Sequence, residues 1–310
     1  MTGKPNNTPI VSIVIPVFNE EDNLRAVWQK LEPAVEGLGV PYEIIFVDDG
    51  SRDASFSILA EIQRMNPSVR VIRLRRNYGQ HPATIAGFDH ARGRWVLTLD
   101  ADLQNDPADL KVIFAKLQEG YDVVAGVRTD RQDPFLRRKL PSRIVNKFIA
   151  ERTGLVQTDT GCFLKGYTLK AAQEVAEHTD IGGFITATIG VLGFKYAEVP
   201  VHHAERFRGT SRYGILTQLD QFMSLFTGYA RRPFQIIEII GACVVAIGVL
   251  VMLITACSGL CSHATQLLLG LIVTVLGLIL GSVGVVGEYV IRITKLTRRS
   301  PRYLIGEVLE

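Results

Sequence analysis

Two carboxylates two positions apart, Asp100 and Asp102, directly follow the apolar run Trp95–Leu99 (WVLTL). In an extended stretch residues i and i+2 face one side, so both side chains can reach one cation. Hard oxygen donors of this kind suit Mg²⁺ or Mn²⁺, ions that usually share their coordination with substrate phosphates. Gln104 continues the i+2 series and offers a third oxygen. Taken alone, the same acids fit a solvated loop, because Asp106-Pro107 opens the next helix well. The surroundings argue for chemistry. Asn19-Glu20 and Asp48-Asp49-Gly50-Ser51 also follow apolar runs. Neither G-x-G-x-x-G nor G-x-x-x-x-G-K-[ST] is present, so a dinucleotide fingerprint and a P-loop are both unsupported.

These clusters need elements that bring them together. Val11–Val17, Tyr42–Val47, Val69–Leu74, Trp95–Leu99 and Tyr121–Ala125 read as strands. Helical patterns separate them; the first opens with Glu20, Glu21 and Asp22, acids that suit a helix N-terminus, and runs through Leu38. Strands alternating with helices predict an α/β domain, a mostly parallel Rossmann-like sheet with helices on both faces. Such sheets bind ligands at the carboxyl ends of their strands, and all three acidic clusters fall at such ends.

The chain has 310 residues with 34 Lys+Arg against 31 Asp+Glu, a formal charge of +3. Nucleic-acid binding driven by bulk charge is therefore not expected. Four cysteines in so long a chain exclude a disulfide scaffold. The basic excess lies beyond residue 230, beside two long uncharged runs, Ile239–Leu260 and Leu267–Gly287. Each is long enough to cross a bilayer as a helix. Their link, Cys261–Gln266, has no Lys or Arg, whereas Arg231, Arg232, Arg292, Lys295, Arg298 and Arg299 flank them outside. The positive-inside rule then predicts a multi-pass membrane protein with both termini and the large domain cytoplasmic. Met1–Pro9 is polar and lacks the apolar core of a signal peptide. The expected divisions are a catalytic domain over 1–212, an interfacial helix over 213–232, a two-helix hairpin over 233–290 and a cytoplasmic tail over 291–310. Leu136, Leu140, Ile144 and Phe148 interleaved with Arg137, Arg138, Lys139 and Arg143 make a second amphipathic segment suited to an anionic lipid surface.

The segments Ile13–Glu20 (IVIPVFNE), Val47–Ser51 (VDDGS) and Leu99–Gln104 (LDADLQ), in this order and spacing, resemble the family-2 glycosyltransferases of the GT-A fold. The C-terminal hairpin narrows the resemblance to the polyprenyl-phosphate glycosyltransferases. Arg76–His81, Gly161-Cys162 and Val201–Arg206 are most similar to the bacterial undecaprenyl-phosphate 4-deoxy-4-formamido-L-arabinose transferases within that group. The resemblance covers essentially the whole chain. It implies that Pro16, Phe18, Glu20, Asp48, Asp49 and Ser51 hold the nucleotide. It implies that Asp100, Asp102 and Gln104 hold Mg²⁺ or Mn²⁺ and the donor diphosphate, and that Arg128 meets the acceptor phosphate. Arg206, with Ser211 and Arg212, would close over the diphosphate; many relatives have Lys where Arg212 stands. The resemblance also implies a homo-oligomer, a tetramer.

The chemistry this implies is transfer of a sugar from a nucleotide donor to a lipid phosphate at the membrane. The acceptor phosphate is largely dianionic at neutral pH, so it needs little help from a base. Bringing it to an anionic donor is the harder task, which a divalent ion and arginines ease. A single inverting displacement is expected, with Arg128, Arg137 or Arg138 on the incoming phosphate and Asp159 as an orienting carboxylate. His202-His203 is not expected to chelate, since neighbours on a strand face opposite sides; His81 fits packing or substrate contact equally. Three rivals stand beside this reading. A glucosyl- or mannosyltransferase acting on polyprenyl phosphate differs only in the sugar. A processive polysaccharide synthase typically has Gln-x-x-Arg-Trp, which is missing here. A non-catalytic nucleotide-sugar binding protein would bind donor and metal without transferring.

Overall fold

The computed structural model describes residues 8–128, 150, 154–179, 185–202 and 301–310, with the helical positions 272, 275, 279, 282, 286, 287, 289, 290 and 293. The chain divides into two units, Met1–Gln218 with Pro301–Glu310, and Leu219–Ser300. In the first unit, eight strands form one sheet: β1 (Val11–Val17), β2 (Tyr42–Asp48), β3 (Val69–Leu74), β4 (Trp95–Thr98), β5 (Val123–Arg128), β6 (Lys165–Thr168), β7 (Tyr196–Val201) and β8 (Ile305–Leu309). Their order across the sheet is β7-β5-β6-β4-β1-β2-β3-β8. The pairs β1·β2, β1·β4, β2·β3 and β5·β7 are parallel, while β6 and β8 run antiparallel to their neighbours. The expected α/β architecture and mostly parallel sheet are as observed.

Helices α1 (Glu21–Glu36), α2 (Ser55–Met65), α3 (Gln80–His90), α4 (Leu110–Gln118), α5 (Leu169–His178) and α6 (Ile185–Leu192) cover the sheet. The alternation of β1 shows how two cores arise from one strand. Val11, Ile13, Ile15 and Val17 pack with Leu24, Trp28 and Leu31 of α1 on one face. Val14, two-fold out of phase, packs with Ile85 and Phe88 of α3 on the other. This is the period-2 pattern of a strand buried on both faces, which parallel connections through helices require.

The amino ends of the central strands are tied by a buried polar network. Glu43 of β2 accepts from Ser12 of β1 (Oγ–Oε1, 2.6 Å), from the backbone of Arg92 (2.7 Å), and from Arg70 of β3 (Nη1–Oε2, 3.0 Å). Arg70 also donates to the His90 carbonyl and to Glu310, just beyond β8. The Arg70 and Glu43 side chains are 7% and 6% exposed. Each charge in this interior network is thus paired and hydrogen-bonded, as burial demands.

The C-terminal segment is the main departure from the expected divisions. Within the segment 301–310, which the sequence reading places in a tail, Ile305–Leu309 form the edge strand β8 against β3. The Arg75 amide donates to the Leu304 carbonyl, and the Tyr303 hydroxyl donates to Asp89. In the second unit, no helix among the described residues is long and apolar enough to cross a membrane. The expected spans Ile239–Leu260 and Leu267–Gly287 lie outside the described residues apart from the helical positions named above. The amphipathic segments 135–150 and 213–232 also lie outside them, Ala150 excepted.

Replacing Glu43 with Ala strands the buried Arg70 charge. We expect Glu43→Ala to cost about 3–5 kcal/mol, measured by urea unfolding followed by circular dichroism. An exposed partner change such as Glu61→Ala, which breaks only the surface pair with Arg25, should move stability by less than about 1 kcal/mol.

Candidate active site

Three loops meet at the carboxyl edge of β1, β2 and β4. The first, Phe18–Glu20, turns through Asn19 at a left-handed φ of 52°. Its backbone is clamped to the second: the Asn19 amide donates to Ser51 Oγ (2.9 Å) and the Glu20 amide to Ser55 Oγ (2.8 Å). Ser51 in turn donates its amide to Asp48 Oδ1 (3.0 Å). The Glu20 carboxylate accepts from Asn23 (2.6 Å) on the first turn of α1. Pro16 lies inside β1 opposite Val47, beyond the last residue that β4 pairs with, so its missing amide breaks no ladder there.

Asp48 and Asp49 are both buried. Burial raises the Asp48 carboxyl above its usual range, against the Ser51 hydrogen bonds and the nearby Arg73 guanidinium. Asp49 is pushed up to about 6, again by burial, while its hydrogen bonds pull the other way. Those bonds come from the loop after β3: Tyr78 and Gly79 donate their amides to Oδ1 and Oδ2 (2.7 and 2.8 Å). Gly50 follows at φ 68°, and a Cβ there would stand 2.6 Å from the Arg76 carbonyl carbon. Only glycine lets the two loops touch so closely.

A cavity of about 520 Å³ opens beside these loops, lined among others by Phe18, Ser51, Arg52, Arg76, Asn77 and Glu307. Arg73 and Arg75 also border it. Arg76 lies over the Tyr78 ring at 4.8 Å. The contribution of Gly306 and Glu307 from β8 is absent from the sequence reading. No local signal announces it, because the strand reaches β3 from more than two hundred residues away.

Asp100 and Asp102 follow β4, but not in the extended conformation expected. Ala101-Asp102 is a turn, and Leu103 is left-handed at φ 60°. A branched residue there costs on the order of 1–2 kcal/mol. The Asp102 side chain helps hold the turn by accepting the Gln104 amide (3.1 Å). The turn still brings the two carboxylates into mutual influence. Burial, then the charge of Asp102, drives Asp100 up to about 7, although Lys165, Arg128 and a hydrogen bond from Gln80 oppose this. Two neighbouring acids that repel each other inside a protein are the donor set a divalent cation relieves. Asp100 and Asp102 therefore fit a hard metal ion.

On the far side of the crevice Arg128, the last residue of β5, is gripped by Asp159. Its Nε donates to Oδ2 (2.6 Å) and its Nη2 to Oδ1 (2.8 Å). Asp159 thus holds the Arg128 guanidinium on two of its nitrogens. Lys165 of β6 is buried and donates to the Cys162 carbonyl. Burial pushes the Cys162 thiol up, which suits a packing residue, not a nucleophile. His202 is bound to Asp109 through its amide (2.7 Å) and ring (3.0 Å). Arg137, Arg138, Arg206, Ser211 and Arg212 lie outside the described residues, as does His203.

Known proteins resemble this chain in sequence and in fold. Residues 12–180 match glycosyl transferase family 2. The undecaprenyl-phosphate 4-deoxy-4-formamido-L-arabinose transferase of Shewanella sediminis is 37% identical over 98% of this chain and 93% of its own length. Among solved structures, glucosyl-3-phosphoglycerate synthase from Mycobacterium tuberculosis, in complex with Mn²⁺, UDP-glucose and phosphoglyceric acid, superposes with a TM-score of 0.53. That match is 18% identical and covers 71% of this chain and 78% of that one. A further mycobacterial protein matches with a TM-score of 0.51 at 19% identity, covering 71% of this chain and 73% of its own. These two likenesses speak to the fold.

The His81 ring lines a small cavity with Thr84, Thr98, Lys165 and Tyr167, and its Nδ1 is enclosed. Burial, aided by Lys165, lowers its pKa to about 4. A histidine depressed in the fold contributes stability that is present above its unfolded pKa, near 6.5, and is lost as pH falls toward 4. At pH 5 the protein should be weaker than at pH 7.5 by up to about 2 kcal/mol from this group alone. In His81→Gln that part of the pH dependence should vanish, as urea unfolding at the two pH values would read.

Proposed function

The chain belongs to glycosyl transferase family 2, and from that premise we propose that it transfers a sugar from a nucleotide diphosphate donor to a polyprenyl phosphate at a membrane. The proposed acceptor is undecaprenyl phosphate, the proposed sugar 4-deoxy-4-formamido-L-arabinose carried on UDP, and the proposed setting the bacterial inner membrane and its envelope glycans. One observation carries the reading. The acidic pair Asp100/Asp102 and the arginine-rich cavity beside Phe18 and Ser51 lie at neighbouring strand ends. The near full-length likeness to the Shewanella sediminis transferase supports the proposed acceptor and sugar.

In this reading the nucleoside lies in the cavity near Phe18, Ser51 and Arg76, with Pro16, Glu20 and Asp48 shaping its floor and rim. Asp100, Asp102 and Gln104 hold Mg²⁺ or Mn²⁺ when it is bound. That ion supplies charge neutralisation for the departing diphosphate. The protein's own groups do the rest. Arg128, aimed by Asp159, meets the acceptor phosphate, helped by Arg137 and Arg138; Arg206, Ser211 and Arg212 close over the donor diphosphate. A phosphate oxygen of the acceptor attacks the anomeric carbon as the bond to the nucleoside diphosphate breaks, so configuration inverts. The dianion carries no proton that must leave, so the step needs no dedicated base. A guanidinium held on two edges by one carboxylate loses little entropy on meeting a phosphate.

The second unit supports the membrane part of the proposal in its own terms. Among the described helical positions there, Ile272, Val275, Ile279, Val286, Val290 and Ile293 are exposed apolar residues. Exposed apolar side chains on a helix suit contact with lipid.

A donor panel tests the reading. Purified full-length protein with Mn²⁺ and undecaprenyl phosphate is offered UDP- and GDP-linked sugars. Lipid-linked product of inverted configuration is expected from one UDP-sugar, with Asp102→Ala reducing the rate at least about 100-fold. Retention of configuration would exclude the single displacement. Full activity of Asp102→Ala would exclude the assigned metal site.

A further inference from the structure

The loop between β3 and α3 joins two parts of the site that the sequence treats as separate. At one end Asp49 accepts the amides of Tyr78 and Gly79 on its two carboxylate oxygens (2.7 and 2.8 Å). At the other, Gln80 Nε2 donates to Asp100 Oδ1 (2.7 Å). Gly79 between them has φ 100°, a conformation that turns the chain directly from the first contact into the second. Gln80 opens α3, whose Ala83, Ile85, Ala86 and Phe88 are packed into the sheet, so the amide is presented from a fixed base. Among the described residues no hydrogen bond reaches Asp100 Oδ2.

We propose that Gln80 is a positioning residue for the metal site, setting the rotation of the Asp100 carboxylate so that Oδ2 is the oxygen presented to the cation, and that Asp49 acts through it by anchoring the loop. This rests on the reading above that Asp100 and Asp102 bind a divalent ion. It gives Asp49 a duty different from nucleotide contact. Both its oxygens are already engaged by backbone amides, and the aspartate is buried. Partners that orient a metal ligand are commonly worth 10–100-fold in metal affinity. Gln80 has the right chemistry for that task. A neutral amide fixes one carboxylate oxygen without adding a charge that competes with the ion.

The test is Mn²⁺ titration of the full-length protein, read from the loss of the free-ion electron paramagnetic resonance signal. Gln80→Met keeps length and helix preference but removes the donor. It should weaken Mn²⁺ binding about 10–100-fold. Transfer activity at saturating Mn²⁺ should return toward the wild-type kcat, with the defect lying in the metal concentration required. A merely structural lesion would not be repaired by metal. Asp49→Asn should weaken Mn²⁺ binding less, and the double variant should be no worse than Gln80→Met alone, because both act through one contact. Wild-type Mn²⁺ affinity in Gln80→Met, or a kcat deficit that metal does not restore, overturns the role of Gln80. Additive losses in the double variant overturn the role of Asp49. Asp102→Ala separates the two levels: it should bind Mn²⁺ far more weakly than wild type. Unchanged binding there sinks the metal site itself and this inference with it.

Discussion

The register of the central strands depends on one buried ion pair, Arg70 with Glu43. A parallel sheet buried on both faces has apolar residues in every direction, so hydrophobic pattern alone discriminates poorly between neighbouring registers. A charge in that interior tolerates no slip, because displacement by one residue strands it without its partner. Ser12, Glu43 and Arg70 stand on β1, β2 and β3, and their mutual bonds fix how far each strand reaches. The functional edge lies at the opposite end of the same strands. Val17 is level with Asp48 because Ser12 is level with Glu43.

What that edge receives is a set of loops that hold one another. Ser51 binds the loop after β1, Asp49 binds the loop after β3, and that loop reaches Asp100 after β4. The acids of the Asp48-Asp49 pair are thus divided in duty. Asp48 faces its own turn and Arg73, while Asp49 is spent on backbone amides. Among the described residues the two non-glycines at positive φ, Asn19 and Leu103, both belong to these loops. Strain held at one edge of a sheet suits a preorganised site, and the packed layers beneath it bear the cost.

The strands and the three clusters were legible because their signals are local. β1, β2 and β3 start where the apolar runs start, and α1 begins at the acids that suit a helix end. The strand ends shift by one residue at β2, which takes in Asp48, and at β4, which loses Leu99; β5 starts two residues later and ends three later than expected. The Asp100–Asp102 pair was found, but its conformation was not. The i+2 argument assumes a pleated strand, whereas Leu103 takes a left-handed turn that nothing in a leucine announces. The resemblance names Asp49 as a nucleotide contact, and its bonds to the Tyr78 and Gly79 amides could not be read from the sequence, because an acid shows no sign of which amides it will meet. β8 escaped for a related reason. Its residues are mostly exposed, so it carries no alternation of apolar and polar, and its partner strand is remote in the chain.

The return of residues 305–309 to β3 sets a parity rule on everything between. The chain leaves the sheet after β7 and rejoins the same sheet at β8, with Leu219–Ser300 in the interval as a separate unit. A polypeptide tethered at both ends to one folded body can pass through a barrier only an even number of times. Under the membrane reading proposed above, a single crossing or three by that interval would conflict with the pairing of β8 to β3, independently of any count of flanking charges.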